Sequence, residues 1–227
     1  MYNQTRATTP SRHADRVAYD ADSVHQILDE ALMCHVAFVA EARPQILPML
    51  FVRVGSTVFI HSSTGAQMAR TAAHEGGVQV ALEATVLDAL VLARSAFNHS
   101  ANYRSVVVHG KADLVRDPQV KAEILEALME KLIPGRTAGV RGPTETELRQ
   151  TAVLALPLIE VSAKIRRGPP VDEPEDIFLE HWAGLWPVQV VHGTPVPSPD
   201  LRPGIELPDH LRAGAGEPSG NQGGGAA

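Results

Sequence analysis

Cysteine is almost missing from this chain: Cys34 is the single one in 227 residues. An internal disulfide is therefore excluded. With no CxxC and no Cys/His pair at zinc spacing, no metal site is expected, and a reducing compartment fits. Clustered basic charge is missing too. The formal charge is −6, so the concentrated positive surface that neutralises phosphates is not available, and no nucleic-acid partner is expected. No run approaches the ~18 apolar residues of a membrane helix, and the opening "MYNQTRATTPSRHADR" has no apolar signal core. The expectation is a cytoplasmic protein with no membrane partner. GxSxG, HExxH, P-loop and SxxK patterns are all absent, which weakens the case for the common hydrolases and phosphoryl-transfer enzymes. Aromatic residues make up only 4% of the chain, yet both tryptophans, Trp182 and Trp186, fall in one short stretch.

The hydrophobic content, 44%, supports one substantial domain. Residues 1–16 are polar and without periodicity, so they predict a flexible arm. From Pro195 onward Pro and Gly accumulate, and 195–227 reads as a disordered tail. Its glycines approach a dinucleotide fingerprint, but Ser219 takes the third glycine position and no strand precedes it. The domain proper is 17–194.

Within it, "DADSVHQILDEAL" has an Asp22 or Ser23 cap and the spacing of one buried helical face. Three short apolar runs follow, "HVAFVAE", "PQILPMLFVRV" and "STVFIHS", separated by turn signals and read as successive strands. Ser63 and Thr64 are expected to cap a short helix, "GAQMARTAAHE", ended by Gly76 and Gly77. Residues 78–95 and 103–115 supply two or three more strands. Asp117 and Pro118 open a helix whose apolar stripe runs to Pro134. Thr144 and Glu147 form a capping-box signature, and "AVLALPLIEVSAKI" reads as a last long strand with a bulge or edge position at Pro157. With no strand-helix alternation, the pattern is mainly β with α: an antiparallel barrel or sheet with peripheral helices.

Three stretches carry chemistry. In "FIHSSTGAQMAR", His61, Ser62 and Ser63 lead from a strand into a helix start, where free N–H groups favour an anion. A phosphate site and a plain helix cap both fit. In "ARSAFNHSANYRS", a polar patch interrupts two core-like strands. Tyr103 and Arg104 there point to opposite sheet faces. Arg104 is either a ligand contact or an ordinary surface arginine. In "GPPVDEPEDIFLEHWAGLWP", the tryptophans either pack on the protein's own barrel or form a lid or subunit contact.

Taken in order, "LPMLFVRVGSTVFIHSSTG", "LDALVLARSAFNHSANYRSVVVHGKADLV", "TAVLALPLIEVSAKIRRGPPVDEPED" and "HWAGLWPV" resemble the pyridoxamine phosphate oxidase-like FMN-binding split-barrel family, in its nitroimidazole reductase (Nim)-type branch. The likeness spans about residues 15–190. It implies a homodimer of six-stranded antiparallel split β-barrels with FMN in clefts between subunits. Leu47, Pro48, Met49 and Leu50 match the strand lying along the flavin ring. His61, Ser62 and Ser63 match the next strand end and its phosphate loop. There the chain departs from the family, with Gln67 and Met68 where Arg or Lys is expected and Arg70 the next cation. Arg94, Arg104 or Lys164 is expected to compensate, and Trp182 to cover the flavin from the partner subunit. The implied activity is an FMN-dependent oxidoreductase, flavin reductase- or oxidase-like and including nitroreduction. It would act on a small organic acceptor with a nicotinamide nucleotide as donor. His61 and Tyr103 are the candidates for proton delivery. A non-catalytic flavin carrier and a haem-binding split barrel, with His35, His61, His99 or His109 as axial ligand, are the alternatives.

Overall fold

The structure, a computed structural model, describes residues 1–214, and the last residues of the expected tail, 215–227, lie outside the described residues. Nine strands and five α-helices occur among them: β1 (Val17–Ala18), α1 (Ala21–Glu30), β2 (Met33–Ala40), β3 (Arg43–Val54), β4 (Thr57–Ser63), α2 (Gln67–Glu75), β5 (Val78–Leu92), β6 (Ser100–Leu114), α3 (Pro118–Leu132), α4 (Glu145–Gln150), β7 (Thr151–Pro157), β8 (Glu160–Arg166), β9 (Gly184–Pro187) and α5 (Asp209–Gly214). All strand pairs are antiparallel. Strands β2, β3, β4, β7, β6 and β5 pair in a closed ring, and β8 with β1 extends one side of β6 while β9 extends β5. This is the six-stranded split β-barrel with peripheral helices.

Alternation in the sequence fills the ring. On β2, Cys34, Val36, Phe38 and Ala40 turn inward and are buried, and on β5 Val78, Val80, Leu82 and Ala84 do the same. They meet Phe51, Ile60, Val106, Val108, Leu154 and Leu156 in one core. Phe51 is fully buried, and truncating such a ring costs about 3–5 kcal/mol. α1 closes one end with Val24, Ile27 and Leu28. α3 lies outside the ring over Val52 and Val153, burying Ile124 and Leu128. β3 is thus covered along its second half only. Its first half, Pro44 to Leu50, pairs with β2 and has no helix over its outer face among the described residues.

Several expectations change. α1 is capped two or three residues earlier than expected, by Asp20, whose carboxylate accepts from the Ser23 N–H at 2.7 Å. α2 has Ala66 as its N-cap and no side-chain cap, so neither Ser63 nor Thr64 fills that place. The expected last long strand is two, because Pro157 ends β7 and a turn at Leu158 and Ile159 reverses the chain into β8. Asp117 caps α3 and the Thr144–Glu147 capping box forms as the sequence predicts.

Residues 1–16, expected as a flexible arm, are tied to the domain. The Tyr2 hydroxyl meets His25 Nε2 at 2.8 Å, the Tyr2 N–H donates to Tyr19 O at 2.7 Å, and Tyr19 donates its hydroxyl to Thr8 O at 2.8 Å. Two tyrosine anchors supplied from inside the pattern overcome the arm's own polar composition. Within the expected tail, α5 brings His210 against Gly135, where an added Cβ would stand 3.3 Å from it.

Candidate functional site: two adjoining clefts on the outer sheet face

The polar interruption between β5 and β6 turns out to hold the chain together. The Arg94 N–H donates to Asp172 Oδ1 at 2.8 Å and its guanidinium to Oδ2 at 2.7 Å. The Asp172 side chain is almost fully covered. Burial alone would raise its pKa, but the Arg94 N–H and guanidinium hold it below the usual carboxylate value. Buried Asn102 donates to Gly168 O at 3.0 Å and accepts from Arg166. The loop before β6 therefore clamps "RRGPPVD" after β8, uniting two motifs some 70 residues apart in sequence. Ser95 Oγ and Asn98 Nδ2 stay buried without a partner among the described residues.

Arg104 follows the inward parity of Val106 and emerges at the end of the ring beside α1. It donates to both Glu30 oxygens at 2.5 and 2.7 Å, and to Asp88 at 2.6–3.1 Å. Asp88 is available because β5 bulges there, slipping the register between Leu87 and Ala89. The hydrogen bonds from Arg104 lower the Glu30 pKa. One cation between two carboxylates leaves this cluster with a net negative charge, so Arg104 has nothing spare for a phosphate.

The turn into α2 is similarly committed. Thr64 N–H donates to Gln150 O, Gly65 N–H to Ser63 Oγ at 3.2 Å, and Ala66 N–H to Ser63 O. Ser62 Oγ donates to Ser63 O at 3.3 Å. Gln67 Nε2 donates to Glu41 Oε1 at 3.3 Å, which sets a carboxylate at the mouth of the expected phosphate loop. Met68 is buried and Arg70 is exposed one turn on. The residues present fit a flavin phosphate poorly here, because the Thr64, Gly65 and Ala66 N–H groups are used and the nearest added charge, Glu41, has the wrong sign, leaving only the uncapped first N–H groups of α2.

His61 faces α3. It pairs with Val153 and shares the parity of Phe59, both on the α3 side of the ring. Burial lowers its pKa, and its buried Nδ1 has no partner among the described residues. Tyr103 lies on the opposite side of the ring, on the outer sheet face beside Leu87. The two candidate proton carriers are therefore not brought together.

That outer face runs unbroken across β3, β2, β5, β6 and β8. On β3 and β2, Ile46 and Val39 are two-thirds exposed, with Leu50 and Met33 beside them. Pro48 stands across from His35. The parity of β3 splits the expected flavin strand: Pro48 and Leu50 lie on this face, while Met49 packs against the core and Leu47 shares its side.

Two clefts lie on the face. One, of about 800 Å³, is walled by Leu32, Met33, Val86 and Leu87 and roofed by Val188–His192, with His35 and His192 as imidazoles and Glu30, Glu83 and Asp88 as acids. His35 Nδ1 is 3.6 Å from Glu83. The other, of about 620 Å³, is roofed by the N-terminal arm from Ala7 to His13. Its floor is Ser105, Val107, His109, Ser162 and Lys164. Lys164 is thus the expected cofactor residue that reaches a cleft with its charge unspent: it has no ion pair among the described residues. The sequence missed His192, Arg12 and Thr8. No local signal marks them, since each matters only through chain segments folded over the sheet.

Trp182 and Trp186 are both about two-thirds exposed. Trp186 sits on β9 opposite Leu90, and the Trp182 ring lies over Gly184, where a Cβ would come within 2.8 Å of the indole. Phe97 and Phe178 are also exposed. No helix among the described residues is long and apolar enough to cross a membrane, and no group of metal-ligating side chains forms among them.

A family profile described as pyridoxamine 5'-phosphate oxidase matches residues 20–165. The flavocytochrome Anf3 from Azotobacter vinelandii is 34% identical, with a TM-score of 0.84 over 93% of this chain and 98% of that one. An FAD and haem binding protein from Mycobacterium smegmatis is 35% identical, with a TM-score of 0.82 over 88% of this chain and 98% of that one. A Bacteroides thetaiotaomicron protein described as a 5-nitroimidazole antibiotic resistance protein shares the fold at 19% identity, with a TM-score of 0.55 over 66% and 86% of the two chains. A comparison with curated proteins returned no match. The closed ring of six antiparallel strands, the profile over most of the domain and two near-full-length relatives agree: the chain belongs to the pyridoxamine 5'-phosphate oxidase-like split-barrel family.

Proposed function

We propose that this protein is a flavin-dependent oxidoreductase that seats its planar prosthetic group on the bare outer face of the β2–β3–β5 sheet and works as a homodimer. The observation that carries the reading is the 800 Å³ cleft. Its walls are apolar, its floor is a sheet without a helix over it, and a ring system needs both. Exposed Ile46, Val39, Trp182 and Trp186 supply apolar surface that a second copy would cover. FAD suits the site better than FMN, because the FMN-type phosphate loop at α2 has no cation, sets Glu41 at its mouth and uses its Thr64, Gly65 and Ala66 N–H groups in the protein's own bonds. One relative is also named for binding FAD.

When bound, the flavin supplies hydride or electron transfer, with a nicotinamide nucleotide as the proposed donor and a small organic molecule as acceptor. The chain's part is to exclude water with Leu87, Val86 and Val190, and Tyr103, the register partner of Leu87, is the proposed proton carrier. Glu30 and Asp88 make the cleft's inner end negative, so the anionic end of the group must lie elsewhere.

A second reading adds haem. His35 and His192 offer imidazole ligands between apolar walls, and Glu83 lies 3.6 Å from His35 Nδ1, near the place a carboxylate takes when it supports a metal-bound histidine. Both similar full-length proteins carry a haem-type name. An absorption spectrum of the freshly purified full chain separates the outcomes. Flavin bands support the first reading, an added Soret band the second, and a nicotinamide-driven turnover assay tests the enzyme. A colourless protein that gains no signal from FMN, FAD or haem would sink both.

A further inference from the structure

The two clefts touch. Thr85 and Glu83 line the apolar one, Ser105 and Val107 line the other, and these are register partners across β5 and β6, Thr85 opposite Ser105 and Glu83 opposite Val107. Partners in a sheet stand about 5 Å apart. From His35 on β2 through Glu83 and Val107 to Ser162 on β8 the register is continuous, a distance of about 14 Å at three strand spacings.

Their charges are opposite. Glu30, Glu83 and Asp88 line the first cleft, whereas no acid lines the second, which has Lys164 and Arg12 with His13 and His109. Glu160 stands opposite His109 in the register but does not line it. The Ser162 hydroxyl adds a neutral donor, while those of Thr9 and Ser105 donate to Thr5 O and Lys164 O. The arm over this cleft is fixed by its two tyrosines, with Thr8 buried. His13 bends it in the left-handed region at φ 57°, a conformation a non-glycine residue keeps only when its surroundings hold it. The cleft is therefore built before anything enters.

We infer that the arm cleft binds the phosphate or pyrophosphate end of the same nucleotide whose ring occupies the neighbouring apolar cleft. This rests on the proposed function for the ring, while the phosphate site stands on its own residues. It replaces the α2 turn as the anion subsite and explains how Lys164 keeps a free charge. A mononucleotide phosphate and a dinucleotide pyrophosphate share the chemistry and differ in how far they reach.

The test measures inorganic pyrophosphate, riboflavin, FMN and FAD binding to the full chain by calorimetry, in wild type and in Lys164→Gln/Arg12→Gln. Both side chains reach solvent, and unchanged circular dichroism confirms the fold. Pyrophosphate and FAD should each bind at least tenfold more weakly to the variant, riboflavin equally well to both, and added salt should erode the wild-type advantage. A gain for FAD over FMN marks the pyrophosphate as the occupant, and equal affinity of the two marks the single phosphate. Unchanged pyrophosphate binding, or riboflavin binding lost as much as FAD, would overturn the inference. Because the pyrophosphate measurement needs no flavin, a protein that binds no flavin at all refutes the proposed function without deciding the anion site.

Discussion

Arg104 and Lys164 stand on adjacent rungs of neighbouring strands, Arg104 opposite Ile165 and Ser105 opposite Lys164. One residue of parity separates their fates. Arg104 turns to the ring end, where Glu30 and Asp88 consume its charge, and Lys164 turns to the outer face, where no carboxylate among the described residues pairs with it. A cation in a candidate site is a ligand contact only where the fold leaves it unpaired. Arg94 and Arg104 build the frame; Lys164 and Arg12 are left for an anion.

The sharpest way to break that contrast is Arg104→Ala. It leaves Glu30 and Asp88 facing each other at a half-covered ring end, and stability should fall by about 2–3 kcal/mol. Chemical denaturation reads this. Affinity for a flavin nucleotide, measured where the variant is still folded, should change less than for the Lys164 and Arg12 pair. The reverse ranking would mean that Arg104 serves the ligand.

Position along the strand divides β3 in the same way. Val52 lies under α3, while Ile46, on the same side of the strand, is bare. In the homodimer proposed above, Ile46→Asp should therefore leave the monomer folded and weaken self-association at least tenfold, since a desolvated carboxylate would face the second copy. Sedimentation over a concentration series checks this, and a variant that stays as dimeric as wild type would remove the β3 face from the interface.

Buried titratable groups give a smaller effect. Lys131 reaches from α3 to the ring end, 3.5 Å from the centroid of Phe51 and donating to Leu28 O at 2.8 Å. Burial pushes its pKa down to about 8. Between about 8 and the ordinary 10.5 the unfolded chain holds a proton that the folded chain has released, so stability should rise with pH across that window. For His61, likewise lowered by burial from 6.5, the unfolded chain gains a proton first as pH falls below that value, and stability should drop on the acid side. Lys131→Met should flatten the alkaline limb and His61→Phe the acid one. Denaturation midpoints at a series of pH values report both.

Much of the fold was legible in the sequence because it was written locally. The short apolar runs between turn signals that form β2, β3 and β4, the Asp117–Pro118 start of α3 and the Thr144–Glu147 box each need only a few neighbouring residues. The turn at Leu158 and Ile159 was missed because an unbroken apolar run hides a two-residue reversal. The site was less legible. The polar patch at 94–104 was rightly singled out as unusual, yet Asp172, Gly168, Glu30 and Asp88, which explain most of it, come from distant segments. His192 and Arg12 enter their clefts only after the two ends of the domain fold over the sheet.

The smallest expected effect is the most pointed. A phosphate at the α2 turn would gain a charge-assisted bond from Gln67→Arg, worth roughly twice a neutral one, and FMN affinity should then rise several-fold. The structure argues otherwise. Glu41 lies 3.3 Å from Gln67 Nε2, so the new guanidinium would meet a carboxylate that takes up its charge, much as Glu30 and Asp88 take up that of Arg104. Flavin affinity should change by less than about twofold, while Glu41→Gln/Gln67→Arg, which frees the cation, measures what the turn can do when its own acid is removed. If the single substitution alone tightens FMN several-fold, the turn is an anion site after all and the arm cleft loses its claim to the cofactor's phosphate.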